Sequence, residues 1–254
     1  MDVTLRIRGD QIGTFAGFFD NGGNNEDRVL TLSDVTAVGT SADIFTVLVE
    51  QVNPGVDEFQ NGQLVTITDP SGNTLVSRTG IQPDREQDLG AGDEHLVLFN
   101  DGLVIDLAGL PATPTDVQYA NADQAADPAT GDNDGNLDFA SFPCLAAGTM
   151  IQTPAGEVDV AGLWPGDQVI CAGDILRRVM WVGKRTLQLQ PGVDDQRPMR
   201  FDVGSLGPDL PHRPLIVSQG HRMCLSGELP FQLFGHPTVL AVAKGLQRLK
   251  GVSV

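Results

Sequence analysis

Three cysteines, four histidines and one run of alternating acidic residues are the side chains here with chemistry to offer. Cys144, Cys171 and Cys224 all lie in the second half and form no Cys-x-x-Cys pair, so neither a zinc ribbon nor a disulfide framework is expected. An odd, sparse set reads as one reactive thiol with buried bystanders. The apolar flanks of Cys171 (Ile170) and Cys224 (Met223 and Leu225) assign those two the buried part. His95, His212, His221 and His236 are scattered, without His-Glu-x-x-His spacing, and no metal cluster is expected from them. Asp132, Asp134, Asn136 and Asp138 alternate as hard oxygen ligands do around calcium. The EF-hand pattern nevertheless breaks at Leu137, where glycine belongs, and at Pro143, where glutamate belongs. A solvated acidic linker therefore stands beside Ca2+ binding as a reading of that run.

Charge shows where the elements that position such groups divide. Residues 1–143 hold 24 acidic and 5 basic side chains, a net −19, whereas 144–254 hold 9 and 11, a net +2. This asymmetry implies two domains: an acidic passenger over 1–119, an acidic linker over 120–143 and a second domain over 144–254. A surface as negative as that of the first half repels phosphate backbones, so nucleic acid is excluded as its partner. No apolar run approaches the roughly 20 residues of a membrane span. The opening MDVTLRIRGDQIG lacks the basic-then-apolar pattern of a Sec signal peptide. Secretion by a signal-peptide-independent bacterial route, or otherwise a cytoplasmic location, is the expectation.

Short β-branched runs at 3–9, 28–35, 44–52, 63–70, 73–80, 94–101 and 103–107 are separated by Gly, Asn, Asp and Pro. That spacing predicts an antiparallel β-sandwich. Between 63–70 and 73–80, Asp69-Pro70-Ser71-Gly72-Asn73 is hairpin chemistry, with Gly72 free to take positive φ. The second half is also β-rich, which makes the whole chain all-β. One helix is expected, over 238–250, where Val239, Val242, Leu246 and Leu249 are spaced as one helical face.

At the charge boundary the text becomes specific. Cys144-Leu-Ala-Ala-Gly148-Thr149 is followed by Thr153-Pro154-Ala-Gly156 and then by Leu163-Trp-Pro-Gly166-Asp167-Gln-Val169. Further on come Val179-Met-Trp181-Val-Gly183-Lys-Arg185 and Val217-Ser218-Gln219-Gly220-His221-Arg222. These ordered blocks resemble a Hint domain, the module of hedgehog autoprocessing domains and inteins, in its bacterial subgroup. The resemblance covers essentially all of 144–254 and says nothing of the structure of 1–143.

The resemblance implies a self-processing reaction at the Pro143–Cys144 bond. Cys144 would attack the carbonyl of Pro143 and turn a peptide bond into a thioester, a task suited to an intrinsically nucleophilic thiol. His221 would move the proton as acid and base, and the hydroxyl of Ser218 would orient the scissile amide. The substrate would be the protein's own N-terminal domain, with water or an external nucleophile as acyl acceptor. No cofactor is implied. Asp167, in the Gly-Asp turn, reads as a structural carboxylate.

Simpler readings of these residues stay open beside the catalytic ones. Cys144 would then be an inert residue at a domain start, His221 a satisfied core histidine in an apolar strand, and Ser218 a hydroxyl bonded to backbone. In that case the chain is an acidic extracellular binding or surface module with an inactive Hint domain. The rigid φ of Pro143 restricts how its carbonyl is presented. The subgroup's text also continues past the point that corresponds to Val254, so the domain is expected to be C-terminally incomplete. No terminal Asn and following nucleophile are present, and splicing is not expected.

Overall fold

Val3, Leu5 and Ile7 point to one side of strand β1 (Asp2–Arg8) and are fully buried there, the alternation that a half-buried strand requires. The same period recurs down the chain in a computed structural model, which describes residues 2–20, 29–52, 63–81, 95–120, 144–187 and 197–254. After β1 come β2 (Ile12–Thr14), β3 (Gly17–Asp20), β4 (Val29–Ala37), β5 (Ile44–Glu50) and β6 (Leu64–Thr68). Then follow β7 (Thr74–Gly80), β8 (His95–Leu98), β9 (Leu103–Asp106) and β10 (Thr115–Ala120).

These strands form two antiparallel sheets. In one, β1, β5, β6 and β7 are consecutive neighbours, and Phe45, Val47, Val49, Val65, Ile67 and Val76 continue the apolar face begun on β1. In the other the order is β10-β4-β2-β9-β8, with β3 also paired to β4. Its core is Leu30, Leu32, Val35, Val97, Val104 and Tyr119. This is the expected antiparallel β-sandwich. The β6–β7 hairpin turns as its chemistry demands. Gly72 has φ 88°, and the Asp69 carboxylate accepts the N–H groups of Ser71 and Asn73 at 2.8 Å each. A bond from the Asn73 side-chain amide, followed by those from the Asn73 and Ser71 N–H groups, holds the Asp69 carboxyl below the usual carboxylate range.

The chain continues through β11 (Met150–Thr153), β12 (Gly156–Asp159), β13 (Gln168–Cys171), β14 (Ile175–Arg178) and β15 (Val182–Arg185). It resolves into two compact units, Met1–Ala140 with Leu163–Thr186, and Ser141–Gly162 with Leu187–Val254. The segment holding β13, β14 and β15 therefore folds with the acidic N-terminal sequence. Within that unit β15 runs antiparallel beside β1 and adds a fifth strand to its sheet, in the order β15-β1-β5-β6-β7.

In the second unit β11 and β12 form a hairpin. Strand β16 (Met199–Phe201) lies between β17 (Leu215–Val217) and β20 (Val252–Ser253), and β18 (Arg222–Ser226) pairs with β19 (Thr238–Val242). Met199, Phe201, Val217, Met223 and Ala243 are its buried core. The one α-helix described, α1 (Glu228–Phe234), is seven residues long.

Two expectations are corrected here. Residues 238–250 are not a helix but β19 followed by a 3-10 turn at Ala243–Leu246. Val239 and Ala241 turn inward on β19 while Leu240 and Val242 are exposed, so the apolar spacing there follows a two-residue period. Cys171 and Cys224 are exposed rather than buried. Neighbours along a strand point to opposite faces, so an inward Met223 and Leu225 put Cys224 outside.

Candidate functional site

The stretch that opens the motif is laid against β17. Leu145 bridges Val217 in antiparallel fashion, and the Ala146 N–H donates to the Ile216 carbonyl at 2.9 Å. One residue back, the Ser218 N–H donates to the Cys144 carbonyl at 2.9 Å. The N–H of Cys144 in turn donates to the Ser218 hydroxyl oxygen, also at 2.9 Å. Val217, between these contacts, is buried in the core of the second unit, so the strand that receives Cys144 is fixed from behind. Cys144 itself is a free, half-buried thiol.

Beyond Ser218 the chain reverses. The His221 N–H donates to the Ser218 carbonyl at 3.1 Å, closing a four-residue turn. His221 thus lies at the end of a turn, immediately before β18, and not inside an apolar strand. Strand β17 ends at Val217, and Gln219 and Gly220 form the turn between Ser218 and His221. The turn is held at several points. The His221 carbonyl accepts the Ala243 N–H at 2.8 Å, and the Gln219 carbonyl accepts the Lys244 N–H at 3.0 Å. The Gln219 side-chain amide donates to the Arg197 carbonyl at 3.1 Å. Ser218 and His221 are therefore presented by one braced turn, and both are half-buried.

On the other side of Cys144 the chain turns through Gly148, at φ 88°, with the Thr149 N–H on the Ala146 carbonyl. Both carboxylate oxygens of Asp159 accept the Gly148 N–H at 3.0 Å, and one also accepts the Ala161 N–H at 2.9 Å. The Ala161 and Gly148 N–H groups hold the Asp159 carboxyl below its ordinary range. This clamp was not singled out by residue type. Its signal is an aspartate two residues before an open N–H, the pattern of an Asx turn.

Of the expected site residues, Cys144 and Ser218 are brought into direct contact, and His221 closes the turn that Ser218 begins. Pro143 lies outside the described residues, as do Asp132, Asp134, Asn136 and Asp138 of the calcium reading. Asp167 has the structural part expected of it, accepting the Trp164 N–H at 2.8 Å in the turn before β13. No helix among the described residues is long and apolar enough to cross a membrane.

Residues 143–254 match the family model of the Hint domain. That match is consistent with a Hint domain in the C-terminal part of the chain. No curated protein and no solved structure matches the chain.

Proposed function

We propose that the chain processes itself at the bond between Pro143 and Cys144. The observation that carries this reading is the 2.9 Å hydrogen bond from the Cys144 N–H to the Ser218 hydroxyl oxygen. That N–H sits on the nitrogen of the bond to be broken. Amide resonance, with a rotation barrier of about 18–20 kcal/mol, is what makes the bond resistant. An acceptor fixed on the N–H holds the amide of that bond in one orientation beside β17 and directs its nitrogen toward the turn that carries Ser218 and His221.

The sulfur of Cys144 adds to the Pro143 carbonyl carbon, and the carbon–nitrogen bond breaks. The nitrogen takes a proton through His221 and becomes the free α-amine of Cys144, while the proton lost by the thiol returns to the same imidazole. Pro143 is left as a thioester on Cys144. Water, or an external nucleophile in its place, then attacks the thioester carbonyl. The thiol of Cys144 departs with a proton, and the N-terminal part ends in a carboxylate or an adduct. Nucleophile and carbonyl belong to adjacent residues, so proximity supplies much of the rate, and each molecule turns over once.

Mass spectrometry of freshly made protein tests the reading. Fragments 1–143 and 144–254 are expected, increased by added thiol or hydroxylamine and lost in Cys144→Ala. A chain that stays whole for days with hydroxylamine present is instead a surface module bearing an inactive Hint domain.

A further inference from the structure

The segment Leu163–Thr186 follows Cys144 in sequence, yet it packs in the unit formed by the residues that precede Pro143. We infer that strand β15 is a clasp: cutting the chain between β10 and Cys144 leaves the two pieces associated as a nicked complex, held edge to edge through β1. The inference rests on the processing reading only for the event that makes the cut. The contact itself belongs to the sheet.

Several independent features converge on this edge. Four residue pairs are in register: Val3 with Arg185, Thr4 with Lys184, Leu5 with Gly183 and Arg6 with Val182. The Arg6 guanidinium carbon lies 3.9 Å from the centre of the Trp164 ring, a cation–π contact. Arg8 donates to the Met180 sulfur at 3.7 Å. Gly183 sits where the two strands approach closely. A Cβ there would lie 3.0 Å from the Trp181 ring and 3.3 Å from the Leu5 side chain. Charge acts in the same direction. Residues 163–186 carry four basic and two acidic side chains, whereas 1–143 carry a net −19.

Without β15, β1 would be an open sheet edge with a row of unpaired N–H and C=O groups, the surface on which added strands bind. Breaking the 143–144 bond removes none of the four pairs. The passenger therefore leaves only when β15 peels away, and release is a step separate from cleavage.

The test makes the cut independently of the protein's own chemistry. A recognition sequence for a site-specific protease is inserted between Asn121 and Pro143 of the full chain in a Cys144→Ala background. The cut protein is then run by native size exclusion. Both pieces are expected to co-elute at the position of the uncut chain. Gly183→Val, which wedges β15 away from Leu5, is expected to lose the co-eluting smaller piece. Gly80→Val is the control, since it lies on β7 at the opposite edge with nothing within 4 Å of its added carbon; its pieces should stay together. Arg6→Ala with Trp164→Ala leaves both strand backbones untouched and is expected to weaken the complex about fivefold on dilution. Separation of the parent pieces, retention in Gly183→Val, or undiminished affinity in the double variant each overturns the clasp. Because the protease makes the nick, a chain that never processes itself refutes the processing reading and leaves this result standing.

Discussion

Ser218 and Cys144 exchange two hydrogen bonds across 74 residues of sequence: the serine hydroxyl oxygen accepts the cysteine N–H, and the serine N–H donates to the cysteine carbonyl. Only the first of these depends on the side chain, so substitution separates function from fold. Ser218→Ala keeps the backbone pairing and removes the acceptor on the nitrogen of the bond proposed to break. A net hydrogen bond of about 0.5–1.5 kcal/mol corresponds to a fall of up to about tenfold in rate. Ser218→Thr, which retains a hydroxyl, should restore most of it. The measurement is the time course of hydroxylamine-induced cleavage, alongside a melting temperature lowered by only about 2–4 °C for the one bond lost. Equal rates in Ser218→Ala and the parent protein would rule out the orienting role.

His221 is tied into its turn by main-chain groups on both sides, to Ser218 and to Ala243. His221→Gln leaves those bonds intact and preserves a polar side chain, but it removes a group able to carry a proton near neutrality. Positioned acid–base groups are worth roughly 10²–10⁴ in rate. A loss of that size in thioester formation is expected, with thermal unfolding little altered. If the glutamine variant cleaves at the parental rate, the proton is carried by something else.

The Asp159 carboxylate is held by the Ala161 N–H and then by that of Gly148, and its pKa is accordingly lowered. The direction fixes the pH dependence. A carboxyl with a folded-state pKa below its unfolded value of about 3.9 contributes stability that is fully present above that value. The contribution is lost as pH falls through the lowered folded value. Asp159→Asn should therefore be less stable than the parent at neutral pH, and the gap should close under strongly acid conditions. Urea unfolding at a series of pH values measures it. A gap that stays constant with pH would show that charge on Asp159 has no part in the clamp.

Much of this was legible before any coordinates. The two-residue alternation of β1, β5 and β6 and the turn residues of 69–73 reported their conformations directly, because sheet strands bury one face and tight turns need particular residues. Cys144, Ser218 and His221 stood out because an ordered series of short motifs surrounds them. The strands β2, β3 and β10 carry too little alternation to register. Residues 238–250 misled because the run 239–242 is apolar at every position, so the helical spacing of Val239, Val242, Leu246 and Leu249 could be drawn through it, and only the pairing of β19 with β18 shows the strand. The partnership of β1 with β15 joins residues about 180 apart, a distance over which no local pattern speaks.

Tyr119 offers a test of the sandwich itself. Its hydroxyl donates to an Asp106 carboxylate oxygen at 3.0 Å, and its ring lies flat on His95, with centroids 3.8 Å apart and 5° between planes. All three side chains are buried, at 5%, 8% and 4% exposure for Tyr119, Asp106 and His95, so the hydroxyl serves a carboxylate shielded from water. Tyr119→Phe keeps the ring and its stacking but withdraws that donor. The cost of taking a donor from a buried acceptor is about 1–3 kcal/mol, larger than a surface bond would return. The phenylalanine variant should therefore unfold at lower urea, with its sheets otherwise intact. Adding Asp106→Asn separates the two contributions. If the bond to the charged oxygen is what Tyr119 contributes, the Tyr119→Phe penalty shrinks once residue 106 is neutral. A penalty of the same size in both backgrounds would assign the loss to packing around the ring.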